Sequence, residues 1–193
     1  MSSDTWLVAG LGNPGPGYAG NRHNVGQMVL DELAKRVGSK FKTHPSRAQI
    51  IQGRINVGGP RVVLAKPMTY MNLSGGPVAN LAKFFGIGVE NLIVVHDEID
   101  IAFDTVKLKR GGGESGHNGL RDISKAMGSK DYLRVRAGVG RPTGRMDTAD
   151  WVLQDFSKLE KQNLPFLIDN SADAVELLIS SGLETAQGKF HTS

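Results

Sequence analysis

The apolar residues of this chain change rhythm repeatedly, and each change marks a predicted element. Trp6-Leu7-Val8-Ala9 is a short continuous apolar run closed by glycine, the pattern of a buried strand that delivers the turn 10–17 at its carboxyl end. Val25, Met28, Val29 and Leu33 then fall at i, i+3, i+4 and i+8, one stripe of a helix with Asn21 as N-cap and Gly38 as stop. His23 belongs to the first turn of that helix. Strands are predicted over 48–56 and 61–66, joined through Gly58-Gly59-Pro60 into an antiparallel hairpin, and a helix over 78–85 closes at Gly86. Leu92-Ile93-Val94-Val95 is the next buried strand, and it runs out into His96-Asp97-Glu98.

Further along, Val106 and Leu108 alternate with Lys107 and Lys109, as in a half-exposed strand. Glycines 111, 112, 113 and 116 form a loop ahead of a helix over 118–127, and 133–139 again alternates apolar residues with Arg134 and Arg136. Two strands therefore present basic side chains at period two. A helix over 157–179 opens with Ser157 and Glu160 at capping-box spacing and is expected to kink or divide near Pro165. The residues 183–193 are expected to form a loose C-terminal tail. Helices interleaved with buried strands predict an α/β fold: a single domain over 1–193, a three-layer αβα sandwich around a twisted mixed sheet. In such sheets, sites gather at the carboxyl ends of strands, here the loops after Ala9 and after Val95.

At 193 residues and 39% hydrophobic, the chain suffices for one sizeable core. No apolar run approaches the ~20 residues of a membrane span, and Met1-Ser2-Ser3-Asp4 lacks the basic and apolar stretches of a secretory signal, so a soluble, cytoplasmic protein is the expectation; a monomer is expected too, although the sequence does not reveal oligomeric state. The absence of cysteine excludes disulfides, thiolate zinc sites and thiol nucleophiles. The net charge is +4, but ten basic and three acidic residues lie between Lys107 and Arg145, a local excess of +7 against −3 elsewhere. Such asymmetry fits a basic surface facing a polyanion, or an ordinary solvated basic face.

Several patterns compete for chemistry. Gly10-Leu11-Gly12-Asn13-Pro14-Gly15 satisfies G-x-G-x-x-G, but Pro14 and Pro16 remove amide donors and delay the helix, and no strand ending in an acid follows ~20 residues on. It is a turn that displays Asn13. Gly113-Glu114-Ser115-Gly116-His117 resembles a serine nucleophile elbow only weakly, because His117 stands where the second glycine belongs. His96, Asp97, Glu98 and Asp100 could suggest a divalent metal, yet alternation turns Asp97 away from His96 and Glu98. His23 near a helix N-terminus with a carboxylate beside it would keep a mostly neutral imidazole able to accept a proton, as a general base requires. Asp97 is the natural partner, provided the fold brings the two together.

Four motifs in this order resemble the bacterial-type peptidyl-tRNA hydrolase family along nearly the whole chain. They are Gly10 to Gly15 with Tyr18, Arg22-His23-Asn24-Val25-Gly26, Pro67-Met68-Thr69-Tyr70-Met71-Asn72-Leu73-Ser74-Gly75, and Gly116-His117-Asn118-Gly119-Leu120-Arg121-Asp122. Val94-Val95-His96-Asp97-Glu98 strengthens the match. The resemblance implies hydrolysis of the ester between a peptide and the 3′ end of tRNA, without metal, cofactor or covalent intermediate. It implies His23 as base and Asp97 as its orienting partner. Asn13, Asn72 and Asn118 would position the peptide and tRNA end, with Tyr18, Met71 and His117 lining the crevice and Lys107, Lys109 and Arg136 meeting tRNA phosphates. The chain departs from the family pattern in two places: at Asn21, which keeps N-cap chemistry, and at Glu114-Ser115, where Glu114 adds a negative charge beside the proposed RNA-facing loop. The rival functions are a non-catalytic RNA-binding protein, in which His23 only caps a helix, and a serine esterase using Ser115.

Overall fold

A computed structural model describes residues 4–191. The N-terminal residues before Asp4 and the last two residues of the predicted tail lie outside the described residues. Seven strands form one mixed sheet: β1 (Trp6–Gly10), β2 (Lys42–His44), β3 (Ala48–Arg54), β4 (Arg61–Pro67), β5 (Leu92–Glu98), β6 (Val106–Arg110) and β7 (Leu133–Gly138). Their order is β2-β3-β4-β1-β5-β7-β6. The inner strands β4, β1, β5 and β7 run parallel, while β2, β3 and β6 pair antiparallel at the two ends.

Helices α1 (Val25–Val37) and α5 (Lys158–Phe190) cover one face, where Val8, Ile93 and Val95 point; α2 (Gly75–Phe85) and α3 (Asn118–Met127) cover the other, over Leu7, Ala9, Leu92 and Val94. That two-sided burial explains why β1 and the start of β5 are continuous apolar runs instead of alternating ones. A short α4 (Thr148–Val152) stands between β7 and α5. The single-domain αβα sandwich expected from the sequence is what the chain builds.

Some local expectations are corrected. Asn21 does sit at the cap position, but its side chain makes no cap bond and instead donates to Asp155 Oδ1 at 2.8 Å. The helix opens with a 3-10 turn, Arg22–Asn24, that carries His23 and runs into α1. Pro165 neither kinks nor divides α5; it is solvent-exposed, so water can take the carbonyl its missing N–H leaves free. The break comes at Gly182, with φ 84° and ψ 173°. The expected loose tail is helical as far as Phe190, because Leu183, Ala186 and Phe190 pack against the core beneath α5. The α2 helix begins three residues early, since Asp122 of α3 takes the Gly75 amide at 2.8 Å and supplies a cap from a distant part of the chain.

One close approach places the site. A Cβ on Gly26 would lie 2.3 Å from the Val95 carbonyl, and one on Gly10 would lie 2.4 Å from the Gly26 carbonyl. Only glycines let the first turn of α1 press onto the ends of β1 and β5. That contact carries the preceding 3-10 turn, and His23 with it, over the carboxyl end of β5.

Candidate active site

Asp97 is the second-to-last residue of β5 and is almost completely buried. Its two carboxylate oxygens serve two histidines from different elements. His23 Nδ1 lies 2.9 Å from Oδ2, and His117 Nε2 lies 2.8 Å from Oδ1. An ionised carboxylate only accepts, so both ring nitrogens carry protons toward it. With Nδ1–H so committed, His23 keeps Nε2 as a free lone pair, and that nitrogen has no hydrogen-bond partner among the described residues. The ring lines an open crevice of about 460 Å³.

The electrostatics follow from burial and these contacts. Burial alone would raise the Asp97 carboxyl, but the charges and hydrogen bonds of His23 and His117 more than reverse this and hold it well below the ordinary carboxylate range. Burial lowers the His23 imidazole, and the charge and hydrogen bond of Asp97 outweigh it, leaving the group above the ordinary histidine value. His96 points to the other face of the strand. Its Nδ1–H donates to the Asp97 carbonyl at 2.8 Å, while burial first and His117 second push its pKa down to about 3, so the ring is neutral.

Among the described residues, His23, Asp97 and His117 bring ligand-capable atoms within 4.8 Å of one another. Two N–H groups aimed at Asp97 make this a hydrogen-bonded set. The acidic neighbours weighed from sequence do not join it: Glu98 accepts from the Asp100 amide and Asp100 pairs with Arg141.

The asparagines are held differently. The Asn13 backbone is clamped by Asn24, whose Oδ1 accepts the Asn13 N–H and whose Nδ2 donates to the Asn13 carbonyl, both at 2.9 Å. The Asn13 side-chain oxygen accepts the Met71 amide at 2.6 Å. That bond fixes the amide orientation and leaves the Asn13 Nδ2 donors for the crevice. Asn72, Met71, His117 and Asn118 line the same crevice. Tyr18 does not; it stands edge-on to Tyr70, 6.3 Å between centroids, and Tyr70 is the residue at the wall.

Lys107, Lys109 and Arg136 lie outside the crevice on the adjoining sheet face. Lys107 stands opposite Arg136 and Lys109 opposite Arg134 in the β6–β7 register. Like charges placed directly opposite are destabilising in a sheet, so such a grid needs a reason. Burial, then Arg136 and Arg134, lowers Lys109. Arg134 is structural: fully buried, it donates to the carbonyls of Gly112, Gly113 and Lys130 and so fastens the glycine loop. Glu114 turns to Lys130, 3.3 Å away, which neutralises the charge this chain adds to the loop. Ser115 adopts a left-handed φ of 52° and lines the crevice, but no hydrogen bond among the described residues joins it to either histidine.

Several participants escaped the sequence reasoning. Asn24 and Tyr70 lay within motifs without a role, and Glu98 was weighed only as a metal ligand. Thr148, Ala149 and Val152 of α4 and the following Leu153 close one side of the crevice, and no apolar period announced them. Arg22 is buried with its guanidinium 3.4 Å over the Trp151 ring and paired to Glu160 at 2.7 Å, which ties the His23 turn to α4 and α5.

An oriented imidazole with one nitrogen free and amide donors across an open crevice fit a hydrolytic enzyme on an α/β scaffold. The profile of the peptidyl-tRNA hydrolase family matches residues 7–193. Proteins named peptidyl-tRNA hydrolase from Pseudarthrobacter chlorophenolicus and Paenarthrobacter aurescens are each 70% identical over 189 residues, covering 98% of this chain and 96% and 97% of theirs. The crystal structure of peptidyl-tRNA hydrolase from Acinetobacter baumannii superposes with a TM-score of 0.90 at 35% identity, covering 98% of this chain and 96% of that one. This chain belongs to the peptidyl-tRNA hydrolase family, whose members hydrolyse peptidyl-tRNA.

Proposed function

We propose that His23, oriented by Asp97, is the general base that activates water against the ester carbonyl joining the peptide to the tRNA 3′ end. The observation that carries this is the Nδ1 to Asp97 contact of 2.9 Å, which leaves Nε2 open to the crevice. Water placed on Nε2 gives up its proton as its oxygen bonds to the carbonyl carbon. The imidazolium then returns that proton to the departing ribose oxygen, releasing the free peptide acid and tRNA. A ribose oxygen leaves far more readily than the nitrogen anion of an amide, so one activated water suffices and the step needs no covalent enzyme intermediate. A single amide donor to the developing oxyanion is worth about 2.7–4 kcal/mol. Asn13 suits that task because its oxygen is already engaged. Asn72 and Asn118 would bind peptide amides, groups that a lone amino acid would leave unpaired. All these residues come from one chain and line one crevice, so the site needs no second copy, which supports a monomer, and the tRNA substrate supports a cytoplasmic location.

The crowded basic face supports a role for Lys107, Lys109 and Arg136 on tRNA phosphates. Lys107→Ala with Lys109→Ala should raise KM for peptidyl-tRNA and flatten its salt dependence by about one to two counterions. An unchanged slope in a KM series over rising salt would assign those lysines to an ordinary solvated face. Among the described residues, no helix is long and apolar enough to cross a membrane.

The direct test is cleavage of a defined peptidyl-tRNA by the purified chain with excess EDTA present. Turnover equal to that without chelator is expected. Loss of activity with EDTA, restored by a divalent ion, would replace the hydrogen-bonded base with a metal-activated water.

A further inference from the structure

The head of α3 dictates which nitrogen of His117 bears the proton. Its Nδ1 is the side-chain N-cap, accepting the amides of Gly119 at 3.1 Å and Leu120 at 3.3 Å. A lone pair that accepts two N–H groups holds no proton, so the hydrogen is on Nε2, where it meets Asp97 Oδ1 at 2.8 Å. A second proton on Nδ1 would break both cap bonds and sit against the positive end of the helix dipole. His117 therefore has no nitrogen left to act as a base, although its ring centroid lies only 5.0 Å from that of His23.

We propose that His117 is a positioning residue for the reaction: the α3 cap locks its tautomer, and its Nε2–H shares the Asp97 charge, which limits how tightly Asp97 holds a proton on His23. Two donors on one carboxylate divide its negative charge. Without the His117 donor, Asp97 would pull harder on the His23 proton and keep the base protonated at higher pH. The same bond fixes the rotation of the carboxylate and hence the ring plane of His23. The inference rests on His23 being the base.

The other charged or titratable groups around His23 are few. Asp97 comes from β5, with Glu98 after it on the crevice wall, and His117 comes from α3. His96 is one ring further away, 5.2 Å from His117. Tyr70 lines the opposite wall, and α4 offers no titratable side chain to the crevice. Arg22 of the same turn faces Trp151 and Glu160 instead.

His117→Asn separates the two functions of the ring, because asparagine is a strong N-cap but is too short to keep the donor on Asp97. The acid limb of the kcat/KM profile should move up by about 0.5–1 pH unit, with kcat near neutral pH falling about three- to ten-fold. His117→Ala should show the same limb shift together with a lower melting temperature. In the unaltered protein, ¹⁵N spectroscopy should find the neutral His117 ring with its proton on Nε2 and with Nδ1 as acceptor. An acid limb that stays in place in His117→Asn, or a neutral His117 ring with its proton on Nδ1, would overturn the proposal. Near-normal turnover in His23→Ala would instead remove the base assignment beneath it, a separate failure visible in a separate variant.

Discussion

His23→Ala is expected to lower kcat for peptidyl-tRNA about 10²- to 10⁴-fold, the usual worth of a general base, while tRNA affinity stays within about two-fold. The size follows from the free Nε2: among the described residues, no second unengaged imidazole faces the crevice, since His117 spends both nitrogens and His96 is buried in the sheet. Affinity should survive because Lys107, Lys109 and Arg136 lie outside the crevice. Single-turnover cleavage combined with a tRNA-binding titration separates the two. A variant that cleaves at near-normal rate would exclude His23 from the chemistry, and one that loses binding in proportion would favour the RNA-binding rival. In the unaltered protein, kcat/KM should fall as pH drops through the His23 pKa. Because Asp97 raises that pKa, the limb should lie above the ordinary histidine value.

Asp97→Asn should be nearly as damaging, about 10²- to 10⁴-fold, although it changes almost no volume. An asparagine offers one acceptor and one donor where two acceptors are needed. The α3 cap leaves His117 Nε2–H in place, so the new amide oxygen must face His117 and the new NH₂ must face His23. His23 would then accept on Nδ1 and carry its proton on Nε2, the tautomer that cannot take a proton from water. The loss should appear in kcat with KM little changed. Comparable activity in Asp97→Asn would mean that the carboxylate neither orients nor charges the base.

Much of this site could be anticipated from local pattern. The strand 6–9, the helical stripe from Val25 and the strand at 92 place two loops at the carboxyl ends of parallel strands, and the motifs around them name His23, Asp97 and the asparagines. Sequence patterns failed where one part of the chain completes another. Asn21 looked like a helix cap, but Asp155, 134 residues away, takes its side chain. The helix at Gly75 started early because Asp122 caps it. The segment after Leu183 looked loose because its few apolar residues have meaning only against the sheet. Short polar elements such as β2 and α4 carried no period at all.

What the sequence determined by itself was the set of elements and the chemical inventory: central strands apolar enough for burial on both faces, no thiol chemistry, histidines and an aspartate at helix and strand ends, and a concentration of positive charge in β6 and β7. Hydrophobic period and residue type are local properties, so they could be read without coordinates. Only the tertiary structure decided proton positions. Gly26 and Gly10 let α1 close on β5 and give Asp97 the His23 donor, α3 brings His117 as the second, and the head of α3 takes the lone pair that assigns tautomers to both rings. Hydrogen-bond direction depends on which group stands opposite, and no local pattern records that.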